Sequence, residues 1–195
     1  VNIMSTLKVD TILKRTGTGT ITVGQSGDTI SIPSGASLTV AGSTITSASN
    51  TPSFSVRNAS NQTGINTNSA TKITFDTEDV DTDSAFASSK FTVPSGSAGK
   101  YFLTSSITIE ASSGASNLRL IDLRIYKNGS NYDSTQVTND YRNNYNHTGT
   151  VSMSLILDLA VSDYIEIYVR VLDEADANNS IAVGKKCVFA GYKLL

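Results

Sequence analysis

The sequence predicts an all-β protein, an antiparallel sandwich or jelly roll preceded by an N-terminal β-rich arm of short repeats. Three observations predict this fold class. Eight segments after residue 53 have strand character at regular spacing, most of them alternate apolar and polar residues, and no segment has the period of a capped helix. Strands that alternate in this way bury one face, as the strands of a sandwich do.

The predicted arm spans residues 1–50 and contains short apolar pairs separated by Gly or Pro. The pairs are Ile21/Val23, Ile30/Ile32 and Leu38/Val40, followed by Ile45. Each strand would have only two large apolar residues on one face, and a hairpin of that kind is marginal alone in water. We therefore expect stacked β-repeats or association of three chains; a flexible linker is the alternative. The small, polar residues 47–53 are the predicted joint.

The predicted head spans residues 51–195. Its strands are expected at 54–57, 72–75, 90–93, 101–111, 118–129, 150–160, 164–172 and 186–195. The alternation is clearest in 164–172, where every second residue is Ile or Val. Asn128 and Gly129 predict a tight turn, because both residues tolerate positive φ.

Short motifs occur along residues 52–195 in a definite order. They are Phe54 in a short strand, Phe75-Asp76, Phe86, Phe91-Thr92, Pro94, Gly99, Tyr101-Phe102, Lys127-Asn128-Gly129, Leu157-Asp158-Leu159, and the ending Phe189-Ala190-Gly191-Tyr192-Lys193-Leu194-Leu195. In this order they resemble the globular head of the first complement component, a branch of the tumour necrosis factor-like trimeric jelly rolls. Ser162 stands where that family usually has Gly, and residues 95–98 lengthen a turn.

The resemblance implies a homotrimer, three jelly rolls around a threefold axis. The final strand supports self-association independently, because it has apolar residues on both faces and a strand of that kind is buried on both sides. We expect its outward face, with Tyr192 and Leu194, to be covered by sister chains. The candidate residues of the trimer interface and core are Phe75, Phe91, Tyr101, Phe189, Tyr192, Leu194 and Leu195.

Residues 4–12 (MSTLKVDTI), residues 33–42 (PSGASLTVAG) and such a head together resemble virion structural proteins of tailed phages. That resemblance implies a virion protein made in the host cytoplasm. It would be a capsid decoration or cement protein that contacts other virion proteins through residues 1–50. The alternative is a short tail-fibre or spike protein whose head binds a host cell-surface glycan or protein.

The composition gives little support for catalysis, so we expect no enzyme and no cofactor. His147 is the only histidine, Cys187 the only cysteine, and no Gly-x-Ser-x-Gly motif is present. We expect Cys187 to be a buried apolar residue. A net charge of −2 argues against a nucleic-acid partner. Neither a signal peptide nor an apolar run near the ~20 residues of a membrane span is found, so no membrane insertion is expected.

Two acidic segments are expected to be solvated loops. They are residues 76–83, with Asp76, Glu78, Asp79, Asp81 and Asp83, and residues 173–176, with Asp173, Glu174 and Asp176. Oxygen-rich loops can hold calcium, but the Gly and terminal Glu of an EF-hand are missing here. No metal site is predicted, and calcium binding is left open.

The segment 130–148 is predicted to be a long, polar, tyrosine-rich loop. Tyr132, Tyr141 and Tyr145 lie among Asn and Asp residues, a composition suited to contact with a partner or a sugar. These three residues are the candidate partner-binding residues, and an ordinary surface loop is the alternative.

Overall fold

The computed structural model describes residues 27, 29–31, 33–40, 43–45, 50–65, 68–111, 118–138, 146–173, 180–182 and 184–194. Every regular element in these ranges is a β-strand. None of the described residues therefore belongs to a helix that could cross a membrane. The chain divides into two compact units, Val1–Ser47 and Ala48–Leu195.

The described part of the first unit contains one antiparallel hairpin of β1 (Leu38–Val40) and β2 (Ser43–Ile45), with Leu38 opposite Ile45. Ile30, predicted to begin a strand, lies outside any strand and is exposed. Pro33 follows closely and begins a turn, in which its carbonyl accepts a hydrogen bond from the N–H of Ala36. The predicted strand residues Ile21, Val23 and Ile32 lie outside the described residues.

The second unit contains the remaining strands. They are β3 (Ser53–Arg57), β4 (Gln62–Ile65), β5 (Thr71–Lys72), β6 (Thr77–Asp81), β7 (Phe86–Ala87), β8 (Lys90–Thr92), β9 (Gly99–Ala111), β10 (Leu118–Lys127), β11 (Ser130–Thr138), β12 (Thr148–Leu159), β13 (Tyr164–Asp173), β14 (Ser180–Ala182) and β15 (Val188–Lys193).

These strands form two antiparallel sheets. The seven-stranded sheet has the order β4-β14-β9-β15-β3-β6, with β12 also paired to β9. The six-stranded sheet has the order β11-β10-β13-β8-β7, with β5 also paired to β13. Neighbouring strands are mostly far apart in sequence, as the crossovers of a jelly roll require. The predicted all-β antiparallel sandwich is confirmed.

The core lies between the two sheets, because each long strand turns one apolar row inward. Ile165, Ile167, Val169 and Val171 of β13 are fully buried. Aromatic side chains join the sheets, since the ring of Phe54 on β3 stacks on Phe91 of β8 with centroids 4.6 Å apart.

Four of the seven residues predicted for the trimer interface and core lie in this core within one chain. They are Phe75, Phe91, Tyr101 and Phe189. Cys187 is buried as predicted, and its Sγ lies 3.6 Å from the carbonyl oxygen of Thr108.

Two predicted loops are wrong in part, because each contains an edge strand. The acidic segment 76–83 includes β6, and residues 130–138 of the tyrosine-rich segment form β11. An edge strand requires only backbone pairing on one side, so its side chains can be polar throughout. The predicted strand 72–75 is shorter than expected, since only Thr71–Lys72 pairs as β5. Strands β4, β7 and β14 were not predicted.

Two turns at one end of the sandwich are tied together by side chains. Asn128 and Gly129 both have positive φ, 53° and 78°, which confirms the predicted tight turn between β10 and β11. Asn128 Nδ2 donates to Asp163 Oδ1 at 2.7 Å, in the turn before β13. This hydrogen bond, with others from Lys127 and the N–H of Ala160, lowers the pKa of Asp163 to about 2.

Candidate interaction surfaces

An apolar row crosses the outer face of the seven-stranded sheet. We define it by Ile156 on β12, Phe102 on β9 and Tyr192 on β15, which lie opposite one another in register. Side chains opposite one another in adjacent strands share a face and touch. The rings of Phe102 and Tyr192 are 5.6 Å apart. Ile156 is 58% exposed and Tyr192 is 37% exposed, so the row is open to solvent in the single chain.

Small hydroxyl side chains continue this face beside the apolar row. The pairs Thr104–Ser154, Ser106–Ser152 and Thr108–Thr150 are hydrogen-bonded across β9 and β12 at 2.7 to 2.8 Å. Thr108 is buried, whereas the other two pairs lie beside the apolar row. Because their hydroxyls are small and satisfy one another, another protein could approach these two pairs closely.

The structure places Tyr192, one of the two predicted outward residues of the C-terminal strand, on this same face. Tyr192 belongs to the apolar row, and Val188 on the same strand is also exposed. Leu194 is half-buried just after β15, and Leu195 lies outside the described residues. Coverage by sister chains remains a prediction.

The outer face of the six-stranded sheet carries a buried carboxylate between two arginines. Asp122 on β10 lies opposite Arg170 on β13. Asp122 Oδ2 accepts hydrogen bonds from Arg124 Nε at 2.9 Å, Arg124 Nη2 at 2.6 Å and Arg170 Nε at 3.2 Å. The hydrogen bond to Asp122 raises the pKa of Arg124. Asp122 Oδ1 is buried and has no hydrogen-bond partner among the described residues.

Two tyrosines stack beside these arginines. The rings of Tyr126 and Tyr168 are 4.0 Å apart with an interplanar angle of 24°. Tyr168 lies opposite Arg124 in the register of β10 and β13. Burial, then the charge of Glu166, raises the pKa of the Tyr168 phenol. We call the surface formed by Asp122, Arg124, Arg170, Tyr126 and Tyr168 the arginine–tyrosine face.

Further cations surround the arginine–tyrosine face. Lys72 Nζ lies 2.6 Å from Glu166 Oε1. Lys90 Nζ lies 4.7 Å from the centre of the Tyr164 ring, which is cation–π geometry.

Tyr132, a predicted partner-binding residue, lies at the edge of the same sheet. Ile125 pairs with Asp133 and Tyr126 pairs with Asn131, so Tyr132 is the extra residue of a β-bulge. It is 56% exposed. The other two candidates, Tyr141 and Tyr145, lie outside the described residues.

The arginine–tyrosine face was not predicted as a site from the sequence. The available signal was the polar side of two alternating strands, where Asp122, Arg124 and Tyr126 recur every second residue on β10. They form a cluster only because the pairing of β10 with β13 brings Arg170 and Tyr168 beside them.

Several acidic residues of the segment 76–83 are engaged in structural contacts. Asp79 pairs with Arg57, with Oδ2 and Nε 3.0 Å apart. The two carboxylate oxygens of Asp81 accept hydrogen bonds from the N–H groups of Ala85 and Phe86. Within the described ranges, no three His, Cys, Asp or Glu side chains are grouped in a way that could hold a metal ion. Glu174 and Asp176 of the second acidic segment lie outside those ranges.

Comparison of the sequence with protein-family models and with curated proteins finds no match. The structure is similar to the globular domain of zebrafish complement 1qA protein, with a TM-score of 0.51, 17% identity, and coverage of 74% of this chain and 98% of that one. The chain has the complement- and tumour necrosis factor-like jelly-roll fold. Murine APRIL, in crystal structures at pH 8.0 and pH 5.0, is similar with a TM-score of 0.52, 9% identity, and coverage of 73% and 98%. At these identities the likeness concerns the fold.

Proposed function

We propose that the protein is a non-enzymatic, homotrimeric structural protein exposed on the surface of a tailed-phage particle, as a capsid decoration or cement protein. It would be made in the host cytoplasm and become part of the virion. Residues 1–50 would attach it to other virion proteins, and the head would face outward.

The apolar row carries the trimer proposal. Ile156, Phe102 and Tyr192 lie on three neighbouring strands, away from the core, and form a continuous apolar surface. Complete burial of a large apolar side chain contributes about 1.5–3 kcal/mol relative to exposure, so covering this row favours association. The similarity of the fold to trimeric complement- and tumour necrosis factor-like domains supports three sister chains as the cover. Assemblies of identical chains usually have closed symmetry, which a threefold axis satisfies.

The absence of catalysis is supported by composition. The chain has one histidine and one cysteine, and Cys187 is buried in the core. A thiol in that position is out of reach of a substrate, which removes the chain's single candidate for a cysteine nucleophile.

The virion placement is supported by the resemblance of residues 4–12 and 33–42 to tailed-phage structural proteins. The second candidate function is a short tail-fibre or spike protein that binds a host receptor. The arginine–tyrosine face and exposed Tyr132 favour that candidate, because they provide charged and aromatic contact groups on one sheet.

Sedimentation equilibrium of the purified protein tests the trimer. We expect the wild-type protein to have the mass of three chains. The single changes Ile156→Asp and Tyr192→Asp should shift it toward monomer while leaving far-UV circular dichroism unchanged, because both side chains are exposed in the single chain.

Tyr132→Asp is the matched control, since Tyr132 is an exposed aromatic residue on the other sheet. The control should remain trimeric. A wild-type monomer at micromolar concentration would refute the proposal, and so would a trimer unaffected by aspartate at both Ile156 and Tyr192.

A further inference from the structure

We propose that the arginine–tyrosine face binds an acidic saccharide, that is, a chain of sugar rings carrying carboxylate or sulfate groups. All of its residues belong to one face of one chain. The proposal therefore goes beyond the structural role above and does not depend on the trimer or on the virion.

The two arginines are held in place for an anion. Asp122, whose side chain is 4% exposed, binds Arg124 and Arg170 through a single oxygen atom. A guanidinium group has five N–H donors, so both arginines keep donors beyond those used by Asp122, by Tyr126 in Arg124, and by Asn68 in Arg170. The arginine side chains remain 21% and 28% exposed. Guanidinium groups bind carboxylate and sulfate-like oxyanions with paired hydrogen bonds.

The charges on the arginine–tyrosine face favour binding of an anion. Among the described residues, this face and its borders carry four cations, Lys72, Lys90, Arg124 and Arg170, and three anions, Asp122, Glu166 and Asp133 on β11. The described part of the face is therefore net positive, although the chain as a whole carries −2. A local excess of one sign attracts ligands of the opposite sign.

The neighbouring side chains suit sugar rings. Tyr126 and Tyr168 add broad apolar rings with polar hydroxyl tips, which contact partners at low entropic cost. On the edge strand β11, Asn131 lies opposite Tyr126 and Ser134 lies opposite Arg124, so amide and hydroxyl groups flank the anion-binding pair. Nucleic acids are bound mainly through many phosphate contacts, and this face offers few cations for them.

Isothermal titration calorimetry of the full chain with defined saccharides tests the proposal. The probes are an oligogalacturonate and dextran sulfate, and their uncharged counterparts are the fully methyl-esterified oligogalacturonate and dextran. We expect at least one acidic probe to bind, its uncharged counterpart not to bind, and affinity to fall as salt is added.

The deciding variant is the triple change Asp122→Asn, Arg124→Gln, Arg170→Gln. It removes the three charges together, so that no buried carboxylate is left unpaired. We expect affinity to fall at least about tenfold, the size of effect that loss of charge-assisted hydrogen bonds produces. Tyr126→Leu, which keeps an apolar group against Tyr168, should also weaken binding.

Arg57→Gln is the matched control, because Arg57 forms an ion pair on the other sheet. It should bind like the wild type, and circular dichroism should show that every variant is folded. The proposal is overturned if neither acidic probe binds, if the uncharged counterparts bind equally well, or if the folded triple variant keeps wild-type affinity. Tighter binding of polyphosphate, polyglutamate or a single-stranded oligonucleotide would overturn the assignment to a saccharide. Sedimentation equilibrium of the same samples measures the oligomeric state, so a failure of the trimer proposal can be told apart from a failure of saccharide binding.

Discussion

The turn between β12 and β13 places Ser162 in the left-handed region of the backbone, with φ of 69°. A residue with a Cβ is strained there, whereas glycine is not. The N–H of Ser162 donates to the carbonyl of Val93, and that of Asp163 donates to the carbonyl of Ala160, so the turn is held from both sides. The family that this chain resembles usually has glycine at this position, and the positive φ explains that preference.

We expect Ser162→Gly to raise the free energy of unfolding by about 1 kcal/mol. Left-handed backbone costs ~1–2 kcal/mol for a residue with a Cβ, and the greater freedom of glycine in the unfolded chain offsets part of the gain. Urea titration measures the change. Ser162→Ala keeps the strain and should give no gain; equal stabilisation by both changes would contradict this explanation.

The strand β15 depends on a glycine at its centre. Gly191 faces the core between β3 and β9, opposite Phe54 and Leu103. A Cβ built there would lie 2.6 Å from Leu103 Cδ2, 2.9 Å from the carbonyl oxygen of Phe102 and 3.0 Å from the ring of Phe54. The glycine of the C-terminal motif therefore allows the strand to pack closely against the aromatic core.

Gly191→Ala should lower the free energy of unfolding by about 1–3 kcal/mol, because the added methyl group overpacks the core against main-chain as well as side-chain atoms. Thermal and urea unfolding measure the loss. Ala190→Ser, at the neighbouring outward position, should change stability by less than about 0.5 kcal/mol. Wild-type stability of Gly191→Ala would show that the strands can separate without cost.

The long strands could be predicted from the sequence because burial of one face imposes alternation on β9, β10, β12 and β13. The edge strands β6 and β11 could not, since backbone pairing alone forms them and their side chains are mostly polar.

The two candidate interaction surfaces also differ in how far the sequence predicts them. The outward position of Tyr192 follows from the pattern of one strand. The contact between Asp122 and Arg170 depends on the register of two strands whose paired residues lie 48 positions apart, which no local pattern specifies.

At the scale of the whole molecule, the core belongs to the second unit. The buried apolar residues of the core run from Phe54 to Phe189. Pro52 directly precedes β3, the first strand of this unit, and its carbonyl accepts a hydrogen bond from the N–H of Lys193. Because the described core of the head contains no residue before 51, residues 1–50 can be removed to test their role directly.

Deletion of residues 1–50 should leave a folded head that no longer attaches to particles. Circular dichroism measures folding, and immunogold labelling of particles mixed with either the shortened or the full-length protein measures attachment. Full-length protein should label the capsid in many copies, whereas labelling of the tail alone would favour the fibre. Attachment of the shortened protein would contradict the assignment of the arm.

The acidic edge strand β6 has a consequence for copies held side by side. Glu78, Asp79 and Asp81 lie along a strand that pairs, among the described residues, with β3 alone. Two such strands repel each other, so neighbouring heads at high density resist joining their sheets through β6. A protein displayed as a dense coat could in this way remain a set of discrete particles.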